Sequence, residues 1–297
     1  MTLNHENILH RLRLAGIAVD ETRLRVESRD GRVLVHLDDD RIAWFAEQPE
    51  DRVALENERR ILRLIEKYCA FRAPRILYED FEGWDVRAMV PGVAAADFLT
   101  QVRTDPRGAE RTGAALGHIL AEQHLCIPAS ELEWLARVPG PHSAAIANLP
   151  KVIQDPRLLA RIRRALEHLE EIAVSVSDAV LVHGDLGAYN LAVNPTTDEV
   201  QGVFDYGDAA FGDRHQDFKY LLFHRPKEQV MLDAAIKSYE GATRIILDRG
   251  RIRFFNAIGA IGFLGFRFGH APGERWCGRT LEEDVEWTTT ALEAAGF

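Results

Sequence analysis

Residues 183–217 constrain this chain most, because any fold must hold together the acidic side chains that they contribute. The segment contains seven carboxylates and a single arginine, Arg214. Such a cluster repels itself unless cations neutralise it, and bound divalent ions commonly do so. Asp185 follows a short apolar run, Asn190 comes five residues later, and Asp205 ends a second strand-like run. Strand ends that deliver polar residues into loops are typical of an active site on a rigid scaffold.

A carboxylate, an amide and a second carboxylate in this order are the groups that phosphoryl transfer needs. The first carboxylate orients and deprotonates a hydroxyl, while the other two groups hold Mg²⁺ against nucleotide phosphates. Asp185 is therefore a candidate base, and Asn190 and Asp205 are candidate metal ligands. Each has a simpler explanation in isolation, since Gly-Asp is good turn chemistry and most loop asparagines have no catalytic role. The combined spacing favours the catalytic interpretation.

The order of predicted elements indicates an α+β protein with two lobes. Before Pro91-Gly92, runs of strand-forming residues separated by turn residues predict five strands, and Pro49 marks the start of a helix. The predicted strands cover residues 24–28, 33–37, 42–45, 75–78 and 86–90, the helix covers residues 49–68, and a short helix capped by Asn4 precedes them. Beyond the break, three- and four-residue apolar spacing predicts mainly helices. We therefore expect an N-terminal lobe of residues 1–91 and a helical C-terminal lobe of residues 92–297.

Charge and composition exclude several classes of function. The net charge of −10 argues against nucleic acid as a partner. The longest apolar run, near residues 254–266, is shorter than the roughly 20 residues of a membrane span. The start of the chain has no apolar core of signal-peptide length, and the three cysteines are scattered, which together predict a cytoplasmic protein. The acidic balance suits a cationic substrate, although solubility is the simpler explanation because acidic surfaces are common.

The motifs of residues 183–217 resemble those of the aminoglycoside phosphotransferase and choline kinase group, which has a protein-kinase-like fold. They are His183-Gly184-Asp185 with Asn190, Phe204-Asp205-Tyr206-Gly207-Asp208, and Gly212-Asp213 with Asp217. The resemblance implies that Asp185 is the catalytic base and that Asn190 and Asp205 bind Mg²⁺, with Asp208 assisting. It implies that Asp217 supports the loop from a buried position. It also implies ATP or GTP as co-substrate and a small-molecule hydroxyl acceptor; the acceptor, the nucleotide and the oligomeric state stay open.

Glu58 supports the resemblance from the N-terminal lobe. It shares a helical face with apolar residues, so it should point inward and need a cationic partner, although a boundary position reaching solvent is the alternative. In this group of proteins the partner is a lysine of the third strand, which also holds the nucleotide phosphates. Here Ala43 or Trp44 takes that place. Arg41 lies on the face of Ala43 and would substitute only if position 43 is the equivalent one.

The resemblance gives four nucleotide-binding candidates in this lobe, namely Glu58, Arg41, Met89 and Val90, the last two at the end of its final strand. The absence of the lysine motivates one alternative, a non-catalytic kinase-like protein that binds a ligand or a partner. A metal-dependent phosphoesterase is a weaker alternative, because its chemistry usually needs several histidine ligands at a spacing that this chain lacks.

Overall fold

The chain forms two compact units in the structure, which is a computed structural model. It describes residues 4–22, 24–29, 31–94, 105–137, 143–172, 178–197, 199–222, 228–271, 273–276 and 279–297. The first unit consists of Met1–Ala95 and Asn190–Ala209, and the second consists of Ala96–Tyr189 and Ala210–Phe297. The boundary near residue 91 was expected from the sequence. The assignment of Asn190–Ala209 to the first unit was not.

A five-stranded antiparallel sheet forms the centre of the first unit. Its strands are β1 (Arg25–Arg29), β2 (Arg32–His36), β3 (Arg41–Ala46), β4 (Arg75–Asp80) and β5 (Trp84–Ala88). They lie in the order β1-β2-β3-β5-β4. The register sets Leu34 beside Trp44, and Trp44 beside Asp85. Side chains at these positions therefore share one face of the sheet.

Two helices cover opposite faces of this sheet. Helix α1 (His5–Leu14) starts at Asn4, whose side chain accepts a hydrogen bond from the Asn7 N–H. Its buried Ile8 and Leu12 join an apolar cluster with alternate residues of β2, β3 and β5, including Phe45. Each such buried side chain contributes about 1.5–3 kcal/mol. Helix α2 (Asp51–Tyr68) lies on the other face, the face of Trp44, and buries Glu58 and Arg59 there.

A second, three-stranded sheet explains why Asn190–Ala209 belongs to the first unit. It contains β6 (Val93–Ala94), β8 (Leu191–Val193) and β9 (Val200–Val203) in the order β6-β8-β9. The Val203 N–H also donates to the carbonyl of Arg72, 3.0 Å away. A Cβ at Gly202 would lie 2.1 Å from the same carbonyl oxygen, so only glycine allows this approach. Strands β8 and β9 form an antiparallel hairpin, and its long-range partners are not visible in the local sequence pattern.

The second unit is mainly helical, as predicted. Its helices are α3 (Pro106–Cys126), α4 (Ser143–Val152), α5 (Pro156–Glu171), α6 (Glu228–Thr243), α7 (Arg249–Phe266) and α8 (Leu281–Ala294). Strands β7 (Val180–Val182) and β10 (Ala210–Gly212) form an antiparallel pair. Apolar residues of α7 form a buried core with α4, α5 and α8. Among the described residues, no helix combines the length and the apolar character that crossing a membrane requires.

Candidate active site

The loop after β7 is held by one buried carboxylate, that of Asp217. This residue lies in the 3-10 segment Arg214–Leu222 and is 1% exposed. Its Oδ2 accepts the N–H of His183 at 3.0 Å, and its Oδ1 accepts the N–H of Gly184 at 3.1 Å. Gly184 has a φ of 86°, a conformation that favours glycine. Asp217 therefore fixes two consecutive residues before Asp185, the supporting role that the sequence predicted.

A chain of polar side chains keeps Asp217 ionised although it is buried. Burial alone would raise the pKa of Asp217, but hydrogen bonds from His124 and from the His183 N–H hold it below its ordinary value. Burial lowers the pKa of His124, so this ring is neutral and donates from Nε2 to Asp217 at 3.0 Å. The Tyr239 hydroxyl then donates to His124 Nδ1 at 3.1 Å and accepts from Arg214. Each of these hydrogen bonds therefore joins a donor to an acceptor.

Asp185 lies on the loop that Asp217 supports. Its side chain is partly exposed, and its Oδ1 accepts a 2.6 Å hydrogen bond from the Tyr189 hydroxyl. Its backbone N–H donates to Nδ1 of the buried His183 at 3.3 Å. The carboxylate of Asp185 is thus held in one orientation at a position that solvent reaches. This arrangement can accept a proton from a bound hydroxyl.

The two predicted metal ligands lie at one end of the β8–β9 hairpin. Asn190 precedes β8 and Phe204 follows β9, and the Phe204 N–H donates to the Asn190 carbonyl at 3.1 Å. Asp205 comes next and has a φ of 66°, which is uncommon for a residue with a side chain and costs conformational energy. Asn190 is buried, whereas the Asp205 side chain is 29% exposed. Asp208, the third candidate, is exposed in the turn Tyr206–Asp208 that follows.

The chemistry of these ligands fits Mg²⁺ that arrives with a nucleotide. In the part of the chain that the structure describes, no group of three or more His, Cys, Asp or Glu side chains is arranged to hold a metal ion alone. Mg²⁺ prefers oxygen ligands and is usually bound by one or two carboxylates together with substrate phosphates and water. The amide oxygen of Asn190 and the carboxylate of Asp205 meet that description. Zinc would need a different set of ligands.

Glu58 is buried as predicted, but its partners are two arginines that the sequence interpretation missed. Its side chain is 3% exposed, and its Oε1 lies 3.0 Å from Nη1 of Arg87 on β5. Its Oε2 lies 3.6 Å from Nη1 of Arg32 on β2. Both guanidinium groups lie over the Trp44 ring, with Cζ 4.5 Å from its centroid for Arg87 and 5.0 Å for Arg32. Trp44 therefore occupies the helix-facing position of β3. The cations that contact Glu58 belong to the neighbouring strands β2 and β5.

Arg87 is held by two carboxylates in the interior. It is 1% exposed, and besides Glu58 it donates from Nε to Asp85 Oδ1 at 2.8 Å. Burial disfavours its charge, yet Glu58 and Asp85 raise the pKa of Arg87 above its ordinary value. The alternation of Trp84 and Val86 with Asp85 and Arg87 was the sequence feature that could have revealed a charged inner face on β5.

The structure places Arg41, another nucleotide-binding candidate, away from Glu58. Arg41 lies on the opposite face of β3 and donates from Nε to Asp38 at 2.7 Å, so position 43 is not the one that faces Glu58. The Met89 N–H donates to the carbonyl of Asp40 at 2.7 Å. Met89 and Val90 line a cavity of about 400 Å³ at the C-terminal end of α2. The structure therefore does not bring Arg41 to Glu58.

Comparisons with known proteins match these features. The model of the phosphotransferase enzyme family matches residues 21–255. A streptomycin 3''-kinase from Streptomyces griseus is 32% identical over 111 residues, which are 35% of this chain. The matched region spans 39% of the length of that kinase.

Solved structures extend the likeness to nearly the whole chain. The ADP-bound aminoglycoside phosphotransferase APH(2'')-Ib superposes with a TM-score of 0.66 at 19% identity, covering 99% of this chain and 100% of that one. A macrolide 2'-phosphotransferase type I gives a TM-score of 0.63 at 18% identity, covering 99% and 98%. The aminoglycoside phosphotransferase APH(3'')-Id from Streptomyces rimosus gives 0.60 at 20% identity, covering 88% and 99%. These likenesses confirm the predicted fold.

Proposed function

Because the chain belongs to the phosphotransferase enzyme family, we propose that it transfers the γ-phosphoryl group of ATP or GTP to a hydroxyl of a small polar molecule, with Mg²⁺. The observation that carries this proposal is the loop after β7. There the buried Asp217 holds the backbone of His183 and Gly184, so that the partly exposed carboxylate of Asp185 is fixed in orientation. A loop built only as a turn would not need a buried ionised group beneath it.

In the proposed reaction Asp185 is the general base. It accepts the proton of the acceptor hydroxyl while that oxygen forms a bond to the γ-phosphorus. The bond from the γ-phosphorus to the bridging oxygen breaks, and its electrons stay on the nucleoside diphosphate. A positioned base of this kind contributes typically about 10²–10⁴-fold to the rate. The Tyr189 hydroxyl, hydrogen-bonded to Asp185 Oδ1, orients the carboxylate.

Asn190 and Asp205 would hold the metal at the end of the β8–β9 hairpin, with exposed Asp208 as an additional carboxylate nearby in sequence. When bound, Mg²⁺ neutralises charge on the phosphate oxygens. The left-handed backbone of Asp205 supports a functional role, because such strain persists where the surrounding structure over-determines it and clusters at ligand sites.

The acceptor proposed here is cationic, of the aminoglycoside or amino-alcohol class. The similar proteins include a streptomycin 3''-kinase, aminoglycoside phosphotransferases in complexes with streptomycin, kanamycin or gentamicin, and a macrolide 2'-phosphotransferase. A net charge of −10 is compatible with amine-bearing acceptors. A panel of streptomycin, kanamycin, gentamicin, one macrolide and a choline-like amino alcohol therefore covers the proposed acceptors.

The test measures nucleoside diphosphate release with ATP and with GTP against this panel, with and without Mg²⁺. Asp185→Asn should lower kcat by about 10²–10⁴-fold and leave nucleotide affinity within a few fold. The control is Asp233→Asn, which alters an exposed carboxylate that accepts a local hydrogen bond from Gln229, and it should leave both quantities unchanged. Turnover in Asp185→Asn equal to that of the control would remove Asp185 as the base.

Calorimetric titration separates the metal ligand from the base. Asp205→Ala should weaken Mg²⁺-nucleotide binding by about tenfold or more, the scale of a lost charge-assisted contact, and change Mg²⁺-free binding less. Unchanged affinity would contradict the metal assignment. Nucleotide binding by the unaltered protein without transfer to any acceptor would favour the non-catalytic alternative.

A further inference from the structure

Four buried charged groups under the sheet of the first unit neutralise one another. Arg59 donates from Nε to Asp85 at 3.0 Å, Asp85 also accepts from Arg87, and Arg87 pairs with Glu58 at 3.0 Å. Their side chains are between 0 and 6% exposed. Two cations and two anions therefore balance in the interior, as buried charges must. Arg87 is fully engaged in this set and cannot reach a ligand in solvent without breaking it.

Arg32 is a further cation, which lies beside Glu58 at the partly exposed side of these four groups. Its Nη1 lies 3.6 Å from Glu58, whose charge Arg87 already balances, and 4.0 Å from Oδ1 of Asp205. The Arg32 side chain is 24% exposed, in contrast to the buried Arg87. Among the described residues, the carboxylate left to balance the charge of Arg32 is that of Asp205, at a loose distance. If Asp205 takes a metal ion, the positive charge of Arg32 beside it can attract a further anion.

The surroundings of Arg32 orient its guanidinium group. The group lies over the Trp44 ring, with Cζ 5.0 Å from the ring centroid. A Cβ at position 207 would lie 2.5 Å from Nη2 of Arg32, so Gly207 leaves the space that the group occupies. A planar guanidinium held on an aromatic face presents its N–H groups to an anion in a fixed direction. The Trp44 Nε1–H is buried and has no hydrogen-bond partner among the described residues, which leaves this surface with a further unsatisfied donor.

We propose that Arg32 is the cation that binds the nucleotide phosphates in this chain, in the role that the resemblance gives to a lysine of the third strand. Trp44, at the helix-facing position of that strand, is the platform that orients it. The proposal rests on the proposed function, since it needs a nucleotide that binds beside Asp205. It makes Arg32 a binding residue and Glu58 a positioning residue that holds the guanidinium from behind.

The experiment compares the affinities of ATP, ADP and adenosine for three variants by calorimetry with Mg²⁺. Arg32→Gln should weaken ATP binding by about 10- to 100-fold, the effect of removing a charged hydrogen-bond donor, and should leave adenosine binding unchanged. Arg32→Lys should recover part of the loss, because it restores charge without the planar fork. The matched control is Arg63→Gln, which removes an exposed arginine paired with Glu79 in the same unit and should change neither affinity.

The outcomes are distinguishable. Selective loss for ATP, with an unfolding midpoint close to that of Arg63→Gln, supports the proposal. Equal losses for ATP and adenosine would show that Arg32 acts through the structure of the lobe, and unchanged ATP affinity would show that another group binds the phosphates; either result overturns it. Absence of nucleotide binding in the unaltered protein would instead refute the proposed function itself.

Discussion

Replacing Asp217 by asparagine tests the physical basis of the catalytic loop. The carboxylate accepts the His183 N–H on one oxygen and the Gly184 N–H on the other. Asparagine replaces one acceptor by an NH₂ donor, so one of these buried N–H groups must face another donor. Leaving a buried donor unpaired costs about 1–3 kcal/mol, and loss of the charge weakens the remaining bonds. We expect a total of about 3–5 kcal/mol, the sum of one unpaired N–H and of a loss of about 1 kcal/mol for each remaining hydrogen bond to the former charge.

The assay is denaturant-induced unfolding combined with amide hydrogen exchange at His183 and Gly184. A loss of about 3–5 kcal/mol corresponds to exchange at these two amides that is faster by about two to four orders of magnitude. The control Asp155→Asn alters an aspartate that caps α5 through the Arg157 N–H, and asparagine caps equally well, so it should change stability by less than about 0.5 kcal/mol. A cost below about 1 kcal/mol for Asp217→Asn, with unaltered protection of both amides, would refute the reasoning.

Two further predictions concern the second unit. Because burial lowers the pKa of His124, the unfolded chain binds a proton between that lowered pKa and the ordinary value of 6.5, so the free energy of unfolding should fall as the pH falls below about 6.5. His124→Gln should flatten this slope by up to about 1.4 kcal/mol per pH unit, and an identical slope in a pH series of denaturation curves would contradict the assignment. Gly117→Ala should destabilise by about 1–3 kcal/mol despite the better helix propensity of alanine, since its Cβ would lie 2.2 Å from the Ala235 carbonyl. Gly241→Ala, where nothing lies within 4 Å, should be neutral or stabilising in the same melting experiment, and equal effects of the two would argue against close α3–α6 contact.

Local features of the fold were predictable because they depend on local periodicity. The strands of the first unit, the α2 helix and the β8–β9 hairpin follow from alternation, helical spacing and turn residues. The inward orientation of Glu58 followed from its position on an apolar helical face. The resemblance to the family rested on the motifs that contain Asp185, Asn190 and Asp205, and the match over residues 21–255 confirms the family.

The features that the sequence did not reveal depend on pairing between distant segments. The hairpin joins the first unit through β6 and through the carbonyl of Arg72, which lies more than a hundred residues before Val203. The partners of Glu58 depend on strand register, since Arg32 and Arg87 reach one carboxylate only after β2, β3 and β5 are aligned. Propensity and spacing cannot supply that alignment, because strand pairing is a tertiary property.

The absence of a third-strand lysine therefore has a structural explanation. A helix carboxylate needs a cation beside it, and any strand whose side chain reaches the same face can supply one. In this chain Trp44 fills the position that faces the helix, and its ring carries two guanidinium groups from the neighbouring strands. One of them, Arg87, completes the buried balance of charge, while Arg32 retains exposure and lies toward Asp205. In this proposal two arginines perform the two functions of a single lysine. Arg87 neutralises the helix carboxylate, and Arg32 binds the phosphates.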